Sequence, residues 1–319
     1  MKKGTEAADM NGTVVVDKPS GKTSFDIVHD IRKVLNIKKI GHTGTLDPMT
    51  TGVLPVCINE ATKLIRFFVK DDKEYRATML LGVETDTLDM EGRVLAQRES
   101  DVTADEVGEA IESFVGTIDQ RVPRYSAVKY RGKPLYKWTR EGVDITPPLR
   151  TVEIYRITVE EISLPYVTFV VTCSKGTYIR SLCADIGTQL GCGACLYTLR
   201  RIKSGHFREE SAIVLEGLDK KEKERVIREN LLPMADTLPH FSSITIGDDA
   251  AEKIKRGHQP DAEVLTRYST ETLAAGDVVK FVSEDNRIVA LARILVSSAH
   301  MSRSSEDEEV AKILRVFNG

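Results

Sequence analysis

The chain has 319 residues, 41% hydrophobic and 29% charged, with a formal net charge of −3 and a sequence pI near 6.1. That composition excludes wholesale disorder, no apolar run reaches the ~18 residues of a membrane-spanning helix, and the overall charge gives no sign of a nucleic-acid binder. A chain this long is expected to form two domains, and because net charge averages over faces, its distribution has to be followed along the sequence.

Residues 1–10 begin Met-Lys-Lys but carry no apolar signal core, so a disordered tail on a cytoplasmic protein is expected. Residues 12–17 read as a strand and Lys18-Pro19-Ser20-Gly21 as a turn. Gly21-Lys22-Thr23-Ser24 invites a phosphate-loop reading, but that motif needs a glycine five residues earlier and position 16 is Val. A helix over residues 23–36, capped by Thr23 or Ser24, places Ile27, Val28, Ile31, Val34 and Leu35 on one face.

The loop 41–55 holds three glycines, two prolines and four threonines, a composition for tight turns. Asp47 is its one carboxylate, and no other charged side chain lies between Lys39 and Glu60 apart from titratable His42. Either Asp47 is a turn-former before Pro48, or it is a catalytic carboxylate that draws a cation from elsewhere in the chain. A short apolar run, residues 53–58, follows as a candidate buried strand. A helix over residues 61–69 and a strand over residues 73–82 come next. Tyr75, Ala77, Met79 and Leu81 share the strand's apolar face, which makes Tyr75 a core tyrosine or the wall of a pocket beside that core. The three acids in residues 85–92 have the wrong spacing for a calcium loop and read as a turn. Thr103-Ala104-Asp105-Glu106 is a capping box opening a helix to about Val115.

Residues 120–140 contain no acid. They carry seven cations, Lys129 and Arg131 among them, interleaved with Tyr125, Tyr130, Tyr136 and the only tryptophan, Trp138. Cations for phosphates and flat rings for bases make an RNA-contact surface, against the alternative of a solvated basic loop. Strands over residues 152–162 and 166–173 lead to a helix for which Thr177 is the expected N-cap and Gly191 the terminator. Arg180 falls in its first turn, where the macrodipole disfavours a cation, so Arg180 is either a surface residue or faces an anion, with Asp47 the obvious one. A second basic cluster follows at Arg200, Arg201, Lys203 and Arg208. The core domain is expected to close near residue 236. Beyond it, short strands and turns suggest a small β domain, with a polar, loose stretch over residues 300–309 and a last strand over 311–317. Cysteines 57, 173, 183, 192 and 195 suit a reduced compartment. The Cys192 and Cys195 spacing lacks the second pair a zinc site needs, so they read as small, partly buried residues.

Gly41-His42-Thr43-Gly44-Thr45-Leu46-Asp47-Pro48, with Thr51-Gly52-Val53-Leu54-Pro55, resembles the catalytic signature of the bacterial TruB family, the tRNA pseudouridine-55 synthases. Residues 17–21, 73–77, 85–87, 125–129, 174–182 and 199–207 resemble the family's further blocks in the same order. Val122-Pro123-Arg124 departs from a common Pro-Pro pair, and residues beyond 235 resemble the family's PUA-like RNA-binding domain only weakly. The resemblance implies an α+β fold: a mixed, largely antiparallel sheet with flanking helices around an RNA-binding cleft over residues 11–235, a thumb loop near 120–150, and a β-rich PUA-like domain over 236–319. It implies isomerisation of a uridine in the T-stem-loop of tRNA, with Asp47, Tyr75 and Arg180 catalytic and Lys18, His42, Lys129, Arg131, Tyr178 and Arg201 binding substrate. Asp47 attacks the sugar or the base, or abstracts a sugar proton. No metal or organic cofactor, no membrane association and no obligate protein partner is implied, and the protein is expected to be a monomer. An RNA-binding chaperone and a guide-RNA-dependent synthase are the alternatives to be separated.

Overall fold

The computed structural model describes residues 10–269, 272–301 and 309–318. Strand β1 (Gly12–Lys18) leads through a turn into α1 (Ser24–Leu35), which starts where expected because Thr23 and Asp26 form a capping box. Then come β2 (Ile40–His42), β3 (Thr51–Ile58), a 3₁₀ turn (Asn59–Leu64), the one-turn α2 (Ile65–Phe68) and β4 (Lys73–Leu81). The hairpin β5 (Val83–Thr85) and β6 (Val94–Gln97) precedes α3 (Ala104–Glu112) and β7 (Gly116–Arg121). A small excursion follows, with β8 (Lys129–Tyr130), β9 (Lys133–Pro134) and α4 (Leu135–Arg140). Strands β10 (Leu149–Ser163) and β11 (Tyr166–Cys173), α5 (Ile179–Gln189), β12 (Ala194–Ser204), β13 (Phe207–Arg208), α6 (Lys220–Glu229) and β14 (Leu232–Pro233) complete the larger part. The remainder comprises β15 (Ser242–Thr245), α7 (Asp248–Lys255), α8 (Ala262–Tyr268), β16 (Val278–Val282), β17 (Ile288–Ile294), α9 (Ser298–Met301) and β18 (Ala311–Val316).

The α+β architecture is as expected. A ten-stranded sheet runs β14-β1-β3-β12-β4-β11-β10-β7, with β2 and β13 as side branches. Every pair is antiparallel except β3 with β12. A second, four-stranded sheet, β15-β16-β17-β18, forms the C-terminal β-rich part.

The register of the large sheet decides where the chemistry can sit. Lys18 lies opposite Gly52, Gly52 opposite Arg201, Arg201 opposite Tyr75, and Tyr75 opposite Val171. One row of residues thus crosses five strands and sets Tyr75 beside the glycine- and threonine-rich loop. Gly52 is required at the crossing. Its φ is +98°, and a Cβ there would lie 2.2 Å from the Arg201 carbonyl oxygen. Two hydrophobic clusters underlie the sheet. One gathers β4, β11, β12, α3 and α5; the other gathers β1, β3, α1 and α6. Tyr75 packs against both, so it marks their seam. A further cluster, with Val53, Phe68 and Leu238 on one side and Ile288, Leu291 and Phe317 on the other, joins the large sheet to the small one.

Several expectations change in detail. The helix expected over residues 61–69 is a 3₁₀ turn followed by α2, because Thr62 Oγ1 donates back to the Asn59 carbonyl at 2.7 Å and tightens the first turn. Helix α3 stops at Glu112, where Ser113 Oγ donates to the Ala110 carbonyl; residues 113–115 then turn into β7, a strand the sequence pattern did not disclose. Thr177 does not cap α5. Its hydroxyl donates to the Ser174 carbonyl, and Tyr178 is the capping residue. Met10 is buried rather than part of a loose tail, while residues 1–9 and 302–308 lie outside the described residues.

Candidate active site

The loop bearing Asp47 is held by the first strand–turn–helix unit. Ser24 Oγ accepts from Leu46 N at 2.8 Å and lies 3.3 Å from the Leu46 carbonyl, to which it donates. Gly21 N donates to the Pro48 carbonyl at 2.9 Å, and Thr50 N donates to the Asp47 carbonyl at 3.1 Å. Lys18, with no exposed surface, spends its ammonium on three carbonyls: Pro19 at 2.9 Å, Pro48 at 3.0 Å, and Lys22. Burial brings its pKa down to about 8, a shift that the nearby Asp47 carboxylate partly opposes. Lys18 therefore acts on the loop backbone beside Asp47.

Helix α5 supplies the cation. The Arg180 side chain is only 5% exposed, and its Nε lies 3.1 Å from Asp47 Oδ2. The guanidinium is oriented by other groups: Nη1 donates to the Thr87 carbonyl at 2.8 Å and sits 3.3 Å from Asp89 Oδ2, while Nη2 donates to the Tyr125 carbonyl at 3.0 Å. Nε makes no hydrogen bond despite its proximity to Asp47, so the contact is a charge pairing without an aligned N–H. Asp89, equally buried, is fixed in turn by Thr87 Oγ1 at 2.6 Å and Glu91 N at 3.1 Å. A buried arginine between two carboxylates has its charge compensated in place. Asp47 alone of the three is substantially open, at 41%. Glu91 completes an acidic rim, its pKa raised by burial and then by the Asp89 and Asp47 charges.

These groups border a cleft of about 860 Å³, large enough for an unstacked nucleotide, whose lining includes Asp47, Tyr75, Asp89, Tyr125, Tyr136, Arg140, Arg150, Lys175, Tyr178, Arg180 and Arg201. Tyr75 presents part of its ring there, and burial raises the pKa of its phenol; burial does the same for Tyr178. A neutral ring in the same lining as a carboxylate–arginine pair suits stacking on a planar base.

The structure brings Asp47, Tyr75, Tyr178, Arg180 and Arg201 around one cavity. Arg201, 1% exposed, is spent mainly on backbone, donating to the Val53 carbonyl at 2.7 Å and the Gly44 carbonyl at 3.3 Å; it supports the loop from beneath. His42, half-buried at the end of β2, is outside the lining, with Nδ1 unpaired and a pKa lowered first by burial and then by Arg201. Lys129 and Arg131 lie on the β8–β9 hairpin, away from the cavity wall, and Arg131 covers the Tyr130 ring. Trp138 likewise serves that excursion itself, donating from Nε1 to the Tyr130 carbonyl beneath Lys133. Sequence reasoning placed Arg140 in the RNA-contact stretch but did not single out Asp89, Arg150 or Lys175, nor give Thr87 a role at the site. A three-acid turn and cations scattered over 35 positions give no local signal of convergence. Among the described residues, no group of three or more His, Cys, Asp or Glu is placed to hold a metal ion, and all five cysteines are free and buried.

A model of the TruB family pseudouridylate synthase N-terminal domain matches residues 32–179, and one of the tRNA pseudouridylate synthase B C-terminal domain matches residues 180–238. The tRNA pseudouridine synthase B of Syntrophus aciditrophicus (strain SB) is 48% identical over 309 residues, covering 97% of this chain and 99% of that protein. That of Geobacter sulfurreducens is 39% identical over 310 residues, covering 97% of this chain and all of that protein. Among solved structures, an H/ACA RNP bound to a substrate RNA containing 2'-deoxyuridine matches with a TM-score of 0.75 at 30% identity, over 99% of this chain and 87% of that one. A Cbf5-Nop10-Gar1 complex matches with a TM-score of 0.73 at 31% identity, over 98% and 86%. The chain belongs to the TruB family of pseudouridylate synthases.

Proposed function

We propose that this enzyme converts uridine to pseudouridine at position 55 in the T-loop of tRNA, with Asp47 as the essential carboxylate. The observation that carries this reading is the Asp47–Arg180 pair at 3.1 Å, which lines one cavity of about 860 Å³ together with Tyr75. The relatives' names support tRNA as substrate. A uridine within a folded loop has to leave its stack before its glycosidic bond is accessible, at a cost of a few kcal/mol that phosphate and stacking contacts return. Tyr75 and Tyr178 offer flat faces to the extruded base, and Arg140, Arg150 and Lys175 offer charge to the neighbouring phosphates. Arg180 lies against Asp47 as the bond from uracil N1 to the ribose C1′ breaks, the base turns, and its C5 bonds to C1′ with release of the C5 proton. Attack on the sugar, attack on the base and proton abstraction from the sugar are each open to a carboxylate in this position. The excursion over residues 120–150 acts as a thumb over the RNA, and the four-stranded part from residue 236 acts as a PUA-like RNA-binding domain.

The reaction proceeds on a monomer in the cytoplasm without a guide RNA, although the solved relatives include an H/ACA RNP and a Cbf5-Nop10-Gar1 complex. Incubation with a bare T-stem-loop transcript, followed by carbodiimide derivatisation of pseudouridine and mass spectrometry of the isolated loop, tests substrate and autonomy together. Conversion of the single expected uridine supports the reading. Binding without conversion reduces the protein to an RNA chaperone, and conversion only with added guide or partner proteins replaces autonomy with dependence.

A further inference from the structure

The guanidinium of Arg180 reaches Asp47 only because the first turn of α5 is fixed in space, and that turn lacks a side-chain cap of its own. Its restraint comes from a strand far away in sequence. Gln120, 1% exposed on β7, receives a hydrogen bond from Tyr178 N on its Oε1 at 2.7 Å and donates from Nε2 to the Tyr178 carbonyl at 3.0 Å. One planar amide thus satisfies both polar groups of a single backbone residue, which fixes that residue in direction as well as position. The next link runs alongside, where Ser181 Oγ donates to the Arg121 carbonyl at 2.9 Å. Tyr178 and Arg180 border the cleft while Gln120 does not, so Gln120 has no contact with the space the substrate fills. The same strand roots the thumb, since Val122 N donates to the Pro148 carbonyl at 3.1 Å immediately beyond it.

We propose that Gln120 is a positioning residue for the isomerisation: its buried amide sets the first turn of α5 so that Arg180 meets Asp47 at the reacting carboxylate. The inference rests on the function proposed above. Only a group that donates and accepts side by side holds both Tyr178 atoms, which neither a carboxylate nor an apolar isostere does. Displacement of a reacting pair by about 1 Å is worth up to a hundredfold in rate, and partial release of the turn is expected to reach at least tenfold.

The test uses the full chain with a T-stem-loop transcript carrying C5-tritiated uridine. Gln120→Met and Gln120→Glu are compared with Asp219→Ala, which removes the side-chain cap of the remote helix α6. Single-turnover tritium release, RNA affinity and the Arg180 Nε–H resonance of ¹⁵N-arginine-labelled protein (assigned by its loss in Arg180→Lys) are read for each. Both Gln120 variants should release tritium at least tenfold more slowly, hold RNA within twofold of the parent and move the Arg180 resonance. Gln120→Glu keeps the acceptor for Tyr178 N but sets a buried carboxylate against the Tyr178 carbonyl, so it should be slowed at least as much, and whichever of the two variants folds serves alone. Asp219→Ala should lose thermal stability with no change in rate. A rate within twofold of the parent, a loss confined to affinity, or an unmoved Arg180 resonance overturns the proposal. Asp47→Asn in the same series separates the two levels: turnover by that variant removes the underlying reading, whereas a silent Asp47→Asn beside fully active Gln120 variants removes only the role of Gln120.

Discussion

Replacing Asp89 by Asn interrogates the charge balance around Arg180 with almost no change in shape. Asp89 Oδ2 lies 3.3 Å from Arg180 Nη1, and both side chains are 5% exposed. At an effective dielectric of ~20 that separation is worth about 5 kcal/mol of gross attraction, much of which desolvation cancels. Removing one partner of a buried pair ordinarily costs about 3–5 kcal/mol because the other charge is stranded. Arg180 is not stranded, since Asp47 and the carbonyls of Thr87 and Tyr125 remain, and the Asn oxygen still accepts from Thr87 Oγ1 or Glu91 N. The expected loss is therefore about 2 kcal/mol, the difference between a charged and a neutral hydrogen-bonded contact plus part of the lost attraction. The guanidinium, no longer drawn toward Asp89, should shift relative to Asp47 and slow the chemical step about tenfold or more. Urea unfolding measures the first quantity and single-turnover tritium release the second. A stability loss below about 0.5 kcal/mol together with an unchanged rate would show that Asp89 takes no share of the Arg180 charge, and the description of the site as one cation between two carboxylates would fail.

Gly52→Ala should destabilise the large sheet by about 3 kcal/mol or more, because a Cβ at φ +98° meets the Arg201 carbonyl oxygen at 2.2 Å. Melting temperature should fall by roughly 6–12 °C, and a change under 2 °C would contradict the close β3–β12 approach. Lys18, with a pKa near 8, holds the Pro48 carbonyl most firmly while protonated, so the single-turnover rate should decline as pH rises through about 8. Its contribution to folding has the opposite trend. The folded pKa lies below the unfolded 10.5, so the native state holds fewer protons between about 8 and 10.5, and this group's contribution to stability rises with pH across that window. Lys18→Met should be slower throughout and lack the alkaline decline, and persistence of that decline would assign it elsewhere. Neutralising Arg140, Arg150 and Lys175 together should flatten the plot of log affinity against log salt by about 2, at roughly 0.7–0.9 per phosphate, whereas Lys129→Ala with Arg131→Ala should leave it nearly unchanged. The reverse pattern would place the RNA on the β8–β9 hairpin instead of along the cleft.

How much of this was legible beforehand depended on whether a residue's role is local. Thr23 with Asp26 and Thr103 with Glu106 announce helix starts through hydrogen bonds made within four residues, and both capping boxes form. The alternation through Tyr75, Ala77, Met79 and Leu81 found its strand because burial on one face enforces period two. Strand β12, adjacent to the site, escaped notice because Arg200, Arg201 and Lys203 interrupt the apolar pattern. Arg201 is buried by donating to the carbonyls of a loop some 150 positions earlier, a compensation invisible in its neighbours along the chain. The family motif brought Asp47, Tyr75 and Arg180 to attention, but Asp89 sat in a stretch that read only as a turn. Its burial depends on the Arg180 guanidinium arriving from α5. Within the basic excursion, composition did not tell which side chains reach the cleft: Lys133 pairs with Glu141, Arg124 with Asp144, and Trp138 packs internally, while Tyr125, Tyr136 and Arg140 join the lining.

Asp47→Asn is the most direct measurement of the central claim. The substitution keeps the loop contacts of Leu46, Pro48 and Thr50, which are made through backbone atoms, and removes the carboxylate that faces Arg180. T-stem-loop binding is expected within a few fold of the parent, with no tritium release over many parental turnovers. Sustained release by a sequence-verified Asp47→Asn preparation would contradict it, and the isomerisation would have to proceed through another group in the cleft.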